Sequence, residues 1–404
     1  MDGLERSADE PRFNACALRA SAMLRVLTLT TLFPDALRPT FGIFVERQTL
    51  ELARHATVQV VAGIGLPPWP LSLHPHYRGR RSALEAETWK GLDVRRPRFR
   101  SVPRLPAFSA RALAAAALPL ARAFRPDVID SEFFWPDGVA AMHLGRALGV
   151  PFSVKARGSD IHFWGNHPAV RRQMLEAAQE AAGLVAVSAA LKGSMAQLGM
   201  PEAKIVVQYT GVDQARFKPI DRSEAKAALG VEGPLLVSAG ALIPLKGQGL
   251  VIDALERIPG ATLILAGDGP ERRRLEAMAP PGRVRFLGNR PHEELPGLLG
   301  AADVMVLPSE REGLANVWVE ALACGTPLVI TDVGGAREVM DRREAGRLVE
   351  RNPAAIAEGV NEILASPPPQ EAVRRAAERF SWDSNARTLV SHLERIAGPS
   401  LAGG

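Results

Sequence analysis

The residues best suited to chemistry lie in one run: Pro308-Ser309-Glu310-Arg311-Glu312-Gly313-Leu314-Ala315-Asn316-Val317-Trp318-Val319-Glu320. A strand pattern ends at Leu307, a loop of small residues follows, and a helical pattern opens near Asn316. The first amides of a helix have no partner inside it, so Leu314, Ala315, Asn316 and Val317 would offer N–H donors to an anion such as a phosphate. Glu312 and Glu320 are eight positions apart, a little over two helical turns, which allows both carboxylates on one side. A phosphate repels carboxylates, whereas a hydroxyl pair donates to one. A ligand carrying both phosphates and diols is a nucleotide sugar. The simpler alternative is that Glu320 only complements the helix dipole.

Two further loops follow strand patterns. Gly240-Ala241-Leu242-Ile243-Pro244-Leu245-Lys246-Gly247 ends in a lysine at a helix start, which would add a point charge to the same phosphate site or else decorate the surface. Gly267-Asp268-Gly269-Pro270 reads as a tight turn that lets a ligand approach. The chain lacks Gly-x4-Gly-Lys-Ser/Thr, which excludes a P-loop NTPase, and Gly63-x-Gly65 is followed by Pro68 where a dinucleotide fingerprint needs glycine.

These loops need a frame. The 404 residues are 47% hydrophobic and 23% charged, a folded-protein profile with room for two domains. Short β-branched runs alternate with helix-period stretches from Leu24 to Gln208, and again from Leu235 to Thr331. Nearly continuous apolar strands between helices mean parallel sheets covered on both faces. So many strands exceed one comfortable open sheet. Two tandem α/β domains are therefore expected, over 23–215 and 216–381, behind a tail at 1–22. Ligands collect at the carboxyl ends of strands in such sheets, so facing domains create a cleft between two sets of loops.

Net charge is +5, and no apolar stretch approaches the length of a membrane span. The tail carries Asp2, Glu5, Asp9 and Glu10 and has no apolar core of a secretory signal. Cys16 and Cys324 are too far apart in sequence for a disulfide scaffold, and a reduced, cytoplasmic compartment fits. Between Tyr77 and Arg104 nine basic residues face three acids, either a surface for an anionic membrane or a solvated loop.

The Glu312-x7-Glu320 pair within Pro308-Ser309 and Glu312-Gly313, followed by Glu-Ala-Leu-Ala-Cys-Gly-Thr-Pro-Leu-Val, resembles the retaining glycosyltransferases of family 4. Gly-Ile-Phe-Val-Glu-Arg-Gln at 42–48, Val187-Ser188, Gly211-Val212-Asp213 with Phe217 and Pro219, Leu287-Gly288 and Ala302-Asp303 agree with it. The resemblance, which spans most of the chain from Met23 onward, implies the GT-B fold: two Rossmann-like doubly wound domains facing a central cleft. The first would bind acceptor and the second the nucleotide-sugar donor. A C-terminal helix over about 382–398 would cross back to the first domain. It further implies that Glu320 binds the donor ribose, that Glu312 sits at the transferred sugar, and that Lys246 with the 314–317 amides holds the diphosphate. Gly42 and Gly240 would let backbone approach that diphosphate, Gly313 belongs to the same donor loop, and Asn289 and Arg290 would bracket the nucleobase.

Two positions depart from the family pattern. Ala241 stands where many members carry arginine, and Arg157-Gly158-Ser159-Asp160 stands where many read His-Gly-x-Asp. Arg157 is a permanent cation and no general base. We expect it to offset Ala241 at donor phosphate or an anionic acceptor, with Asp160 beside it in the catalytic group; the alternative is an Arg157–Asp160 strut. Family members are thought to use front-face attack, in which the leaving phosphate takes the acceptor proton. No Asp-x-Asp metal motif appears, so no cofactor and no obligatory Mg²⁺ are expected. The acceptor would be a saccharide, plausible as a lipid-linked intermediate of cell-surface polysaccharide made at the inner membrane face, and no nucleic acid is expected as partner. Loops at 32–41, 102–109, 133–137 and 161–167 would build the acceptor site, with Phe133, Phe134, Trp135, Phe163 and Trp164 available to stack on sugars or to pack the core. Competing readings are a GT-B-fold nucleotide-sugar epimerase or hydrolase, and a catalytically silent nucleotide-sugar binding protein.

Overall fold

The computed structural model describes residues 23–39, 41–74, 77–102 and 108–398; the tail at 1–22 with Cys16, Arg104 and most of the 102–109 loop lie outside them. The first half contributes strands β1 (Arg25–Thr30), β2 (Thr57–Ala62), β3 (Ile64–Leu66), β4 (Ala86–Trp89), β5 (Leu92–Arg95), β6 (Arg98–Arg100), β7 (Val128–Ser131), β8 (Phe152–Ala156), β9 (Gly183–Ala186) and β10 (Ile205–Val207). The second half contributes β11 (Leu235–Ala239), β12 (Thr262–Ala266), β13 (Val284–Gly288), β14 (Val304–Leu307), β15 (Leu328–Thr331) and β16 (Gly346–Val349). One sheet has the order β10-β9-β8-β7-β1-β2-β5-β4 and the other β13-β12-β11-β14-β15-β16, while β3 pairs with β6 apart from both. Every pairing is parallel except β4 with β5.

Burial on both faces explains the parallel sheets. In β1, Leu27 and Leu29 enter a core with Leu113 and Met142, while Val26 on the other face meets Leu389 and Leu393. In β11, Val237 packs with Trp318 and Phe380, and Leu236 packs opposite with Val251 and Ile356. Four helices frame the cleft or join the two halves: α1 (Ile43–Leu52), α2 (Ala189–Leu198), α3 (Asn316–Ala323) and α4 (Trp382–Ala397). Leu389 and Leu393 belong to α4, so the last helix covers the first sheet.

The chain crosses between the sheets twice, side by side. Val212 N–H donates to Phe380 O at 2.8 Å, and Asn385 Nδ2 donates to Tyr209 O at 2.6 Å. His392 of α4 locks onto β8: its Nε2 lies 2.9 Å from Ser153 Oγ, and Arg395 Nη2 lies 2.9 Å from its Nδ1. A guanidinium only donates, so Nδ1 accepts and Nε2–H points at the hydroxyl. Burial, with Arg395 and Lys155 adding, pushes His392 down to about 4. It therefore stays neutral at neutral pH.

The basic stretch is not an open loop. Arg95 pairs with Asp93 at 2.8 Å, Arg98 with Glu85 at 3.1 Å, and Arg96, buried at 2% exposure, with Glu87. All three acids of the stretch are thus paired to its arginines, which leaves less outward charge than the residue count implies. The β4–β5 hairpin is fastened to α1 through the buried Glu46 carboxylate, which accepts from Trp89 Nε1 and from Lys90 Nζ at 3.1 Å. Among the described residues no helix is long and apolar enough to cross a membrane.

Candidate active site

Where the strand ends of the two sheets face each other, they enclose a cavity of about 720 Å³. The second-half loops form most of its wall. After β14, the chain runs through Ser309 to Glu312 and enters α3, whose tip has no side-chain cap. Leu314, Ala315, Asn316 and Val317 all line the cavity, so the open amides of that tip face it. Glu310 N–H donates to Leu245 O at 2.8 Å, tying this loop to the one after β11. That tie brings Lys246 Nζ to 2.5 Å from Glu312 Oε1, which also accepts from Ser309 Oγ at 2.7 Å. Glu320, buried at 7% exposure, faces the same space about one turn into α3. Gly240, Ala241, Asn289 and Arg290 line it as well, Arg290 with its guanidinium held by Glu294. The Lys246 ammonium, one uncapped helix tip and the carboxylates of Glu312 and Glu320, with Asp268 on the same wall, therefore line a single cavity. This arrangement can bind a diphosphate at one end and hydroxyls on either side of it.

Three expected site residues sit elsewhere. Gly42 is the N-cap of α1 with φ 68°, and an added Cβ there would meet the Leu32 carbonyl at 2.5 Å. It is glycine for packing and backbone conformation; its neighbours Ile43 and Phe44 reach the cavity instead. Gly313 is pressed against the first half, where an added Cβ would meet Arg157 O at 2.8 Å. Asp160 is wholly buried, and its carboxylate accepts the backbone N–H groups of Phe134, Arg157, Gly158 and Ile161 at 2.8–3.2 Å. Both oxygens are occupied, so Asp160 organises the 157–161 turn and touches nothing in the cavity. Burial raises its pKa against the opposing pull of those four donors.

Arg157 does line the cavity, but its guanidinium is paired with Glu132 rather than Asp160. Its Nε donates to Glu132 O at 3.0 Å, and the group stacks over Phe44 at 4.6 Å. Beneath it lies a charged cluster at the ends of β7 and β8. Glu132 accepts from Gln48 and from Lys155 Nζ at 3.2 Å, and both Glu132 and Lys155 are 0% exposed. Burial pushes the Glu132 carboxyl up, but Lys155 and Arg157 together outweigh it and bring it down to about 2. Asp130 goes the other way, to about 8, through burial and the adjacent Glu132 charge.

Asp137 is also driven up to about 8, by burial, although one oxygen accepts from Thr31 N–H at 2.8 Å. It is protonated in the folded protein and ionised in the unfolded chain between about pH 4 and 8, so the folded state holds one more proton there. Its stabilising contribution is complete below the carboxylate's ordinary range and is lost as pH rises through about 8. Urea unfolding of wild type and Asp137→Asn across this range should show wild type losing about 1.4 kcal/mol per pH unit relative to the variant. A constant difference would place the proton elsewhere.

Two contacts between the halves escaped the sequence reading. Arg47 on α1 reaches across the cleft, its Nη2 2.8 Å from His292 Nδ1, and His292 Nε2 lies 2.7 Å from Glu320 Oε1. Farther along, Glu338 of the second half accepts from Ala189 N–H at 2.8 Å and Ala190 N–H at 3.1 Å, capping α2 of the first. Of the aromatic residues weighed for stacking, Phe134 and Trp135 are buried, while Phe163 is 58% exposed and sits 5.1 Å edge-on to Trp164.

The sequence matches the family model described as Glycosyltransferase Family 4 over residues 45–216 and that described as Glycosyl transferases group 1 over 219–380. A Bacillus subtilis protein named for a teichuronic acid biosynthesis glycosyltransferase, TuaC, is 28% identical over 94% of this chain and 100% of its own length. D-inositol 3-phosphate glycosyltransferase of Mycobacterium leprae is 33% identical over about half of each chain, 50% here and 51% there. Among solved structures, sucrose-phosphate synthase of Thermosynechococcus elongatus superposes with a TM-score of 0.76 at 19% identity, covering 91% of this chain and 98% of its own. Anabaena HepE in complex with UDP and glucose does so with a TM-score of 0.70 at 22% identity, covering 92% and 99%. Two facing doubly wound sheets, a cleft at their strand ends and these matches over both halves have one meaning: the chain belongs to the group 1, family 4 glycosyltransferases and has the GT-B fold.

Proposed function

We propose that this glycosyltransferase moves a sugar from a nucleotide-diphosphate sugar to a saccharide acceptor with retention of configuration and without a metal ion. The observation that carries the reading is the Lys246–Glu312 pair beside the uncapped tip of α3, with Glu320 on the same cavity. Diphosphate oxygens would replace Glu312 as the partner of Lys246, freeing that carboxylate for hydroxyls of the transferred sugar. The 314–317 amides would take a second phosphate oxygen, and Glu320 the ribose diol. As the glycosidic bond breaks, negative charge grows on the diphosphate, where this fixed positive field stabilises it. The departing phosphate oxygen then accepts the acceptor's proton on the same face, so no protein base is required. The complex of HepE with UDP and glucose, a protein of the same fold, and the polysaccharide named for the TuaC relative are consistent with this reading.

The acceptor would enter along the first half, past Phe163, and a lipid-linked saccharide at the inner membrane face suits the surface beyond. On the segment that follows β3, Trp69, Leu71 and Leu73 are 78%, 61% and 52% exposed, and the partner strand β6 carries Arg98 and Arg100, a combination suited to a membrane surface. The cleft is tested with a thermal-shift panel of UDP, GDP and ADP. One of them at a hundredfold excess over its Kd should stabilise the protein by about 2.7 kcal/mol, and EDTA should leave that shift and donor turnover unchanged. No shift with any of the three would remove the proposal.

A further inference from the structure

We propose that His292 is a positioning residue for Glu320 and that Arg47 completes this arm of the donor pocket from the opposite lobe, so that the grip on the ribose is set across the cleft. The inference rests on the reading of Glu320 as the ribose acceptor and adds to it what aims that carboxylate. His292 is 8% exposed and packs edge-on to Phe217 at 5.0 Å, which leaves the ring little freedom to turn. Arg47 Nη2 stands 2.8 Å from its Nδ1, and an arginine has no lone pair to offer. Arg47 Nη1 also stands 3.3 Å from Nε2, but Glu320 Oε1 is nearer to that nitrogen, at 2.7 Å, and a carboxylate can only accept; the arrangement that satisfies both short contacts has Nδ1 accepting from Arg47 and Nε2–H donating to Glu320. One carboxylate oxygen is thus occupied, and the remaining lone pairs turn to the cavity that Glu320 lines.

Arg47 has a second effect. Without it only Glu320 holds the ring, and the Nδ1 edge loses the contact that fixes its angle toward that carboxylate. Burial depresses the Arg47 guanidinium while the Glu320 charge supports it, as expected for two groups coupled through the ring between them. Arg47 lies on α1 and His292 after β13, so the contact exists only while the lobes are closed to this spacing. A ribose held by Glu320 favours that spacing, and the spacing in turn aims Glu320.

Calorimetric binding of UDP, GDP and ADP to the full chain, each against its 2′,3′-dideoxy counterpart, tests this. Wild type should prefer the ribose form. His292→Phe should lose that preference by on the order of tenfold, with the dideoxy form as the reference that separates this from any general change in the pocket. His292→Gln should retain it, because its amide N–H can reach Glu320 and its carbonyl can accept from Arg47. Arg47→Met should weaken the preference, and adding it to His292→Phe should change nothing further. Full preference in both His292→Phe and Arg47→Met, or equal loss for ribose and dideoxy ligands, overturns the positioning role. If His292→Phe does not fold, Arg47→Met and His292→Gln decide alone. A wild type that ignores the ribose hydroxyls overturns the reading of Glu320 itself, a different failure.

Discussion

Lys246→Ala is expected to lower donor turnover by about 100- to 1,000-fold, the usual cost of deleting one preorganised charge aimed at a developing anion. The side chain is placed for this at 19% exposure, 2.5 Å from Glu312 in the free protein. Its loss should fall mainly on kcat, because charge on the diphosphate is greatest as the sugar leaves. Lys246→Arg should recover only part of the activity, since a planar fork does not replace a compact ammonium in a narrow site. Steady-state release of nucleoside diphosphate from the donor gives the readout, with or without an acceptor present. A drop of less than about threefold would mean that Lys246 is not the group facing the diphosphate.

Glu132→Ala is expected to be the most damaging single change to stability, at about 3–5 kcal/mol. The carboxylate is 0% exposed and joins Lys155, also 0% exposed, to Arg157 and Gln48. Removing it strands a buried ammonium beside Asp130, which would then have reason to ionise. The double variant Glu132→Ala/Lys155→Met should regain much of the loss, because the cost lies in the orphaned charge more than in the bond itself. Urea midpoints of the two single variants and the double variant provide the check. Simple additivity would show that these groups do not act as one unit.

The second-half wall of the cleft was legible from sequence because its residues are local in the chain. Glu312, the α3 tip and Glu320 lie within one strand–loop–helix unit, so a short loop after β14 is enough to bring Glu312 to the cavity that Glu320 lines from the helix. Lys246 was legible for a similar reason, at the end of the loop after β11. Arg47 was legible only as part of the 42–48 segment that matches the family, and His292 not at all, because the two are 245 positions apart and only the fold brings them together. Asp160 was misread because residue type alone does not tell a carboxylate facing a cavity from one wrapped in backbone amides.

The β4–β5 hairpin was missed for another reason. Its strands, Ala86–Trp89 and Leu92–Arg95, are so rich in charge that they read as a solvated loop. The two-residue turn Lys90-Gly91, with φ of 49° and 90°, was the signal to use, since both residues take the left-handed conformation that tight hairpins require. The two sheets themselves were readable because buried parallel strands are apolar nearly throughout.

The placement of α4 has a consequence for how the protein is made. Val26 and Val128, near the start of the first sheet, are covered by Leu389 and Leu393 from the far end of the chain. On the ribosome the first lobe is complete in sequence long before its last packing partner has been synthesised. Until α4 emerges, an apolar strip of that lobe stays open to water and to chaperones. A chain stopped before residue 382 would leave Val26 and Val128 without Leu389 and Leu393, so the first lobe completes its packing only once α4 is in place.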